Sequence, residues 1–442
     1  MKNALSGLVW VLLYLFFCLI PLWLTAGQHR PPGRPFLVEF SVALGFVGLS
    51  ILALQFALIG RFKPVAAPFG IDALLQYHVQ ITLVGLSFVL AHPVLLFIAD
   101  SHKYLPLLNL VTAPWRARFA VTSVIALLVL AGLSVWRRRL RIRYEVWQFT
   151  HGILAVVVVL FALLHVSLVG YYVTGLVRHV VYDGYIGVLI FLLLWIRVLS
   201  PLRRLRHPWR VVRVNAERGD SSTLVIEPVG HEGFRFDPGQ FGWIAVGRSP
   251  FARTQHPFSF SSAADTPVGG PVAMTIKAAG DFTKTIPDVT PGTRVYLDGP
   301  HGVFSMDRRQ APGYVFIAGG VGVTPLYSMV QTMREREDVR PVTLFYASAT
   351  WEDVVFREEL AELSEKMPNL TVIHVLDRPP EGWAGESGFI TADMLRRHLP
   401  AQFRRYEYLI CGSARMMDAM EDALVAVGVP FRQVSTERFD MV

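Results

Sequence analysis

Two stretches decide how this chain folds: 71-IDALLQYHVQITLVGLSFVLAHPVLLFIA-99 and 146-VWQFTHGILAVVVVLFALLHVSLVGYY-172. Each exceeds the roughly 20 apolar residues that carry a helix across a bilayer. Each holds two histidines fourteen residues apart, His78 and His92 in the first, His151 and His165 in the second. At about 100° and 1.5 Å per residue, that interval returns a side chain to within about 40° of its starting direction, roughly 21 Å along the axis. Both histidines of a pair therefore share a helix face. A single buried histidine ordinarily bonds a backbone carbonyl or a polar neighbour. Two equally spaced pairs in membrane segments, where ionisable groups are costly, point to function instead. Imidazole suits iron, and a haem fits between helices of a bundle. The spacing predicts two haems stacked through a membrane, each held by one histidine from each helix.

Working outward, apolar runs at 5–26, 38–60, 73–99, 117–136, 146–171 and 181–199 predict six membrane helices. The first is read as a retained helix, because its core outlasts a signal peptide's and only Lys2 precedes it. Arg61 and Lys63, then Arg137, Arg138, Arg139, Arg141 and Arg143, then Arg203, Arg204 and Arg206 mark one side. The alternate loops are poorer in Lys and Arg, so the positive-inside rule places both termini and the second half of the chain in the cytoplasm. His78 and His151 then form the inner pair, and His92 and His165 the outer pair. With both axial positions filled by histidine, such a haem carries electrons rather than binding a substrate at iron. Pro93, directly after His92, is positioned to kink its helix.

The net charge is +8, but the arginines cluster beside membrane segments, and no aromatic-interleaved basic surface argues for nucleic acid. The partners expected are membrane lipid, a nucleotide and an electron acceptor. Two cysteines, Cys18 and Cys411, permit neither a disulfide framework nor a zinc pattern.

From about Leu202 the sequence reads as a water-soluble protein. WRVVRVNAERGDSSTLVIEP (209–228) predicts two strands and a turn, and HPFSFSS (256–262) a further strand. MTIKAAGDFTKTI (274–286) predicts a strand ending at Gly280 and a short helix capped by Thr283, a setting that suits a pyrophosphate, with Lys277 adding charge. HPFSFSS alone also reads as a plain strand with an aromatic, and VYLDGPHGVFS (295–305) as a plain strand-end turn. From about Gly313 strands and helices alternate, as in an α/β domain. YVFIAGGVGVTPLYSMVQTMRE (314–335) reads strand, glycine-rich loop, helix, with Gly319, Gly320 and Gly322 letting backbone approach a phosphate. Strands are also predicted at VTLFYAS, LTVIHVL and YEYLICG.

Taken together, HPFSFSS, IKAAGDFT, LDGPHG and GGVGVTP resemble the flavin and nucleotide modules of ferredoxin–NADP reductase type proteins. His256, where soluble reductases carry Arg, resembles the NADPH oxidase and ferric reductase branch, as do the histidine pairs. The resemblance implies FAD at His256, Pro257, Phe258 and Ser259, with Lys277, Gly280 and Thr283 near the pyrophosphate. It implies NAD(P)H at Gly319, Gly320, Gly322, Thr324 and Pro325, with Cys411 and Gly412 beside the nicotinamide and Phe439 covering the flavin. No Arg directly follows the second strand of the nucleotide domain, where Ser348, Ala349 and Thr350 stand; Arg357 and Arg378 are nearby. An NADPH site usually places an Arg there, so the stretch favours NADH or use of both.

The expected organisation is a multi-domain membrane protein. A six-helix all-α transmembrane di-haem bundle spans 1–204, an antiparallel β-barrel FAD domain 205–308, and a Rossmann-like α/β NAD(P)H domain 309–442. The expected activity passes electrons from cytoplasmic NAD(P)H through FAD and two b-type haems across the inner (plasma) membrane. Oxygen, giving superoxide, is the first acceptor; a ferric chelate or a periplasmic partner protein are the alternatives. The outward loops hold only Glu39, Asp100 and Asp183 as carboxylates, which favours oxygen over a built iron site.

Overall fold

The computed structural model describes residues 2–25, 33–251, 255–267 and 269–438. Phe439, expected over the flavin, lies outside the described residues. The chain divides into two compact units, 1–200 and 201–442.

Among the described residues, the first unit contains six helices long and apolar enough to cross a membrane. They are α1 (Lys2–Thr25), α2 (Phe36–Leu58), α3 (Ile71–Ala99), α4 (Trp115–Trp136), α5 (Tyr144–Val169) and α6 (Leu176–Leu194). The last begins five residues before its apolar run and continues through a π turn, Trp195–Leu199, to Leu205. Pro93 sits inside α3, which runs unbroken to Ala99.

Lipid supplies no hydrophobic drive between helices, so close packing depends on small residues. A Cβ on Gly48 of α2 would stand 2.8 Å from Val89 Cγ2 and 3.0 Å from the Gly85 carbonyl of α3. A Cβ on Gly45 would stand 3.2 Å from Cγ of His92. Ser41, Gly45, Gly48 and Gln55 recur at intervals of four, three and seven residues, one stripe of α2, and this stripe meets the histidine face of α3. Alpha helices α4 and α5 pair in the same way, with Ser123 of α4 donating to the Val158 carbonyl at 2.8 Å.

The second unit opens with six antiparallel strands: β1 (Trp209–Glu217), β2 (Ser221–Pro228), β3 (Phe241–Val246), β4 (His256–Ser259), β5 (Val272–Lys277) and β6 (Arg294–His301). Their order is β4-β3-β6-β1-β2-β5. A bridge from Phe260 to Met274 joins the two edges, curling the sheet into a barrel around Trp209, Ile226, Ile244, Phe260 and Met274. Strand β5 ends at Lys277, three residues short of the expected Gly280.

A parallel sheet follows, with β7 (Tyr314–Gly319), β8 (Val342–Ser348), β9 (Leu370–Leu376), β10 (Glu386–Ser387), β11 (Glu407–Cys411) and β12 (Val434–Glu437). The helices between them are α7 (Val323–Glu335), α8 (Arg357–Lys366), α9 (Ala392–His398) and α10 (Ala414–Val427). Tyr314 and Phe316 enter one core and Val315 and Ile317 the other, as a strand buried on both faces requires. The order β10-β9-β8-β7-β11-β12 reverses direction at β7 and β11. Open α/β sheets bind ligands beyond the carboxyl ends of the strands at such a reversal. Here those ends are Gly319 and Cys411.

Candidate redox sites in the two units

In the membrane unit all four histidines carry a hydrogen bond on Nδ1. His92 Nδ1 lies 3.0 Å from the Ser41 carbonyl, and His165 Nδ1 lies 2.8 Å from the Arg116 carbonyl. A carbonyl only accepts, so both nitrogens donate. His151 Nδ1 meets Ser134 Oγ at 3.2 Å. That hydroxyl gives its one proton to the Leu130 carbonyl at 2.8 Å and also receives Trp147 Nε1 at 3.3 Å, so His151 again donates. His78 Nδ1 meets Gln55 Oε1 at 2.9 Å. The Gln55 amide nitrogen donates to the Ile51 carbonyl at 2.7 Å and to Tyr14 at 3.4 Å, which fixes the carboxamide's orientation.

Each ring therefore holds its proton on Nδ1, and Nε2 keeps its lone pair. Among the described residues no Nε2 of the four has a hydrogen-bond partner. The His78 and His151 ring centres stand 6.4 Å apart. His92 and His165 are close enough to interact electrostatically. Two imidazoles with free Nε2 atoms at such a separation would suit ligation of one metal ion. Helix α2 braces α3, and α4 braces α5. The sequence reading missed Gln55 and Ser134; their signal is a polar residue on the small-residue face of a neighbouring membrane helix. Trp147 lies 5.1 Å from His151, and Arg137 stacks over Trp147 at 5.2 Å. A cavity of about 470 Å³ among Phe46, Leu163, Tyr172 and Tyr182 is lined by none of the four histidines.

In the second unit, the residues expected to hold FAD and nucleotide gather in three places. On β4, the His256 ring lies parallel to Phe282, 4.2 Å away and 11° inclined, and Phe258 lies 6.2 Å from Phe282. Pro257 and Ser259 pair with Trp243 and Phe241 of β3. Phe282, between the IKAAG and TKT residues, is a third missed residue. Thr283 is not a helix cap: its Oγ1 receives the Ala279 and Gly280 N–H groups at 2.9 and 2.8 Å, tying the turn before a three-residue 3-10 segment. The hydroxyl also donates to the Gly280 carbonyl at 3.1 Å, and the segment's Lys284 and Thr285 N–H groups bond the Gly280 and Phe282 carbonyls at 3.0 Å.

The second gathering is at the sheet reversal. A Cβ on Gly322 would stand 2.4 Å from the Cys411 carbonyl oxygen, and one on Gly319 would stand 2.2 Å from Met416 Sδ. Gly322 is thus held to glycine by the backbone of Cys411 and Gly412, whereas the atom nearest Gly319 is the end of the flexible Met416 side chain. Thr324 donates to the Val321 carbonyl at 2.8 Å, and Pro325 is buried in the first turn of α7. Cys411 is buried, and desolvation followed by the Glu437 carboxylate pushes its thiol up. It is a neutral, compact wall and not a thiolate. Glu437, paired with Cys411 across β11 and β12, is buried and was missed; its signal is an acid in an otherwise strand-like terminal stretch.

The third is a cleft of about 300 Å³ lined by Gly219, Lys277, Gly320, Val321, Ser348, Ala349, Asp353 and Val355. Gly320 takes φ +55° and has open space where a Cβ would sit. Lys277 brings a cation and α7 a helix N-terminus, two features that favour an anion. Asp353, held by the Thr350 hydroxyl at 2.8 Å, brings a carboxylate. Arg357 bonds Glu358 at 2.8 Å and the Trp351 carbonyl at 3.3 Å. Arg378 is placed beside the cleft by its backbone N–H, which donates to the Ala349 carbonyl at 2.8 Å.

These two halves match two known domain families. Residues 44–162 match the ferric reductase like transmembrane component, and residues 316–422 match the oxidoreductase NAD-binding domain. The chain thus joins a segment similar to a ferric reductase membrane component to one similar to an NAD-binding domain. Among curated relatives, NADH-cytochrome b5 reductase 1 of Mortierella alpina is 35% identical over 142 residues, 32% of this chain and 48% of that protein. The reductase component of propane 2-monooxygenase of Rhodococcus jostii is 32% identical over 238 residues, 52% of this chain and 62% of that protein. The chain thus spans about half the length of the curated relatives it matches. The cytochrome b5 reductase domain of Ulva prolifera nitrate reductase aligns with 52% of this chain and 96% of its own, at 22% identity and a TM-score of 0.46.

Proposed function

We propose that the chain carries electrons from NAD(P)H, through FAD and two b-type haems, to an acceptor across the membrane that encloses its first unit. The proposed domain limits are 1–204, 205–308 and 309–442. The observation that carries this reading is the state of the four histidines: every Nδ1 is committed to a neighbouring helix, and every Nε2 is left for a metal. Opposed imidazoles with metal–nitrogen bonds of about 2 Å put their ring centres roughly 6 Å apart. The 6.4 Å between His78 and His151 fits that arrangement. His78 and His151 would hold one haem iron, and His92 and His165 the other. Bound FAD supplies the change from two-electron to one-electron chemistry, and bound haem supplies one-electron carriage.

The rest is done by the chain's own residues. Lys277 and Gly320 receive nucleotide phosphates in the cleft, and α7 adds its positive end. His256, Phe258 and Phe282 present flat faces for a flavin, with Ser259 beside them. Buried Cys411 and Glu437 close the reversal point where a nicotinamide is expected. Asp353 in the cleft can accept from a ribose hydroxyl and repels a 2′-phosphate, while Arg357 is already paired, so NADH is the preferred donor.

Oxygen is the proposed acceptor, with superoxide as product. Of the carboxylates that the charge bias assigns outside, Glu39 is engaged by Tyr172 and the Arg34 N–H, and Asp100 caps the Lys103 N–H. That leaves little to hold ferric iron. The test is NADH- and NADPH-driven superoxide production by the full chain loaded with FAD and haem. Superoxide matching nucleotide consumption supports oxygen; faster turnover on an added ferric chelate, with little superoxide, moves the assignment to a metal reductase.

A further inference from the structure

The two histidine pairs are braced differently. The outer pair, His92 and His165, donates to backbone carbonyls, of Ser41 and Arg116. These acceptors are set by the helices themselves. The inner pair donates to side chains, His78 to Gln55 and His151 to Ser134. Both side chains are themselves fixed. Gln55 spends its amide protons on Ile51 and on Tyr14 of α1, whose ring meets Tyr77 edge-on at 5.7 Å. Ser134 spends its proton on Leu130 and takes a second donor from Trp147.

We propose that Gln55 and Ser134 are positioning residues that hold His78 and His151 in the ligating tautomer and set the reduction potential of the iron those two histidines share, without acting on the outer pair. The inference rests on the haem reading above. An acceptor on Nδ1–H orients the ring, leaves Nε2 as the ligand and raises its basicity. A more basic ligand favours ferric over ferrous iron, so each acceptor lowers the potential. Ser134 divides its lone pairs between Trp147 and His151, which makes it the weaker acceptor and the more sensitive point for adjustment. Evolution or design can retune the inner site by one side-chain change, whereas the outer site has no side chain to change.

The test is a spectroelectrochemical titration of the full-length protein in detergent, comparing Gln55→Leu, Ser134→Ala and Ser134→Thr with the parent, after haem per chain has been counted. Two haems per chain are expected in all four proteins. In Gln55→Leu and Ser134→Ala, one of the two one-electron waves should move to higher potential. The shift should be of the order of tenfold in the ferrous-to-ferric ratio, about 59 mV for one electron. The other wave should stay in place, and Ser134→Thr, which keeps the hydroxyl, should return to the parent value. Two haems with both waves unmoved, or with both waves moved alike, would overturn the inference and leave the haem reading standing. A parent protein with no bound haem would overturn the haem reading itself.

Discussion

Gln55 Oε1 and His78 Nδ1 meet at 2.9 Å, and the mirrored contact, the Ser41 carbonyl to His92 Nδ1 at 3.0 Å, lies fourteen residues away on the same helix. Helix α2 therefore reproduces the spacing of the histidines it braces. The interval is a property of two antiparallel helices packed through Gly45, Gly48 and Gly85, and not of α3 alone. Enlarging Gly48 should move both histidines at once. Gly48→Leu, whose Cβ would already stand 2.8 Å from Val89, is expected to lower haem content from two per chain at both sites. Pyridine haemochrome analysis reads this directly; unchanged haem content would show that α2 does not set the geometry.

His92→Ala removes one ligand of one proposed pair only. One haem per chain should remain, and NADH should still reduce the flavin at the parent rate. Stopped-flow absorbance separates the two signals. Retention of two low-spin haems would refute the assignment of His92.

Asp353→Asn should raise the NADPH-to-NADH ratio of kcat/KM by about tenfold, or 1.4 kcal/mol, by removing a carboxylate from the cleft that would face a 2′-phosphate. Steady-state flavin reduction with each nucleotide measures it. An unmoved ratio would place the 2′ position elsewhere.

Gly320→Ala and Gly322→Ala should fail in different ways. At Gly322 a Cβ would stand 2.4 Å from the Cys411 oxygen, so overpacking should cost roughly 1–3 kcal/mol of stability. At Gly320 there is space, but φ is +55°, so the cost should be nearer 1–2 kcal/mol, with nucleotide binding the more affected property. Thermal unfolding and nucleotide Kd on the same samples distinguish them; equal behaviour would contradict the packing argument.

Stability of the nucleotide domain should fall as pH drops from about 6.5 to about 4. Burial, and then the Arg357 guanidinium, hold the His374 imidazole down at about 4, from an ordinary 6.5. The unfolded chain then binds the proton first, so the stabilisation present above pH 6.5 is lost through pH 4, by up to about 3 kcal/mol. His374→Phe should flatten this part of the pH profile. A parent and variant with parallel slopes would exclude His374 as its source.

Much of the fold was legible because its signals are periodic. Six apolar runs, the alternating strands of the barrel and the strand–loop–helix of 314–335 are each specified by local pattern. The fourteen-residue spacing carried the histidine pairs as well. What was not legible depends on partners remote in sequence. Gln55 and Ser134 look like isolated polar residues in apolar helices until α2 meets α3 and α4 meets α5. Gly322 reads as a phosphate-binding residue, and its tight packing against the Cys411 carbonyl, some ninety residues on, is not visible locally. Thr283 carries a capping signature, and its hydroxyl turns back to Ala279 and Gly280 because the strand stops early. Strand β12 is short and was not predicted; its place in the sheet is set by pairing with β11, which the local sequence does not encode.

We propose that the four histidines hold two electron-carrying haems served by the reductase half of the chain. Anaerobic titration of the purified full-length protein with NADH, followed in the visible haem bands, tests it most directly. Two low-spin haems per chain are expected, both reduced by NADH when FAD is bound and neither reduced when FAD is removed. A protein that binds FAD and oxidises NADH but shows no haem absorbance would contradict it.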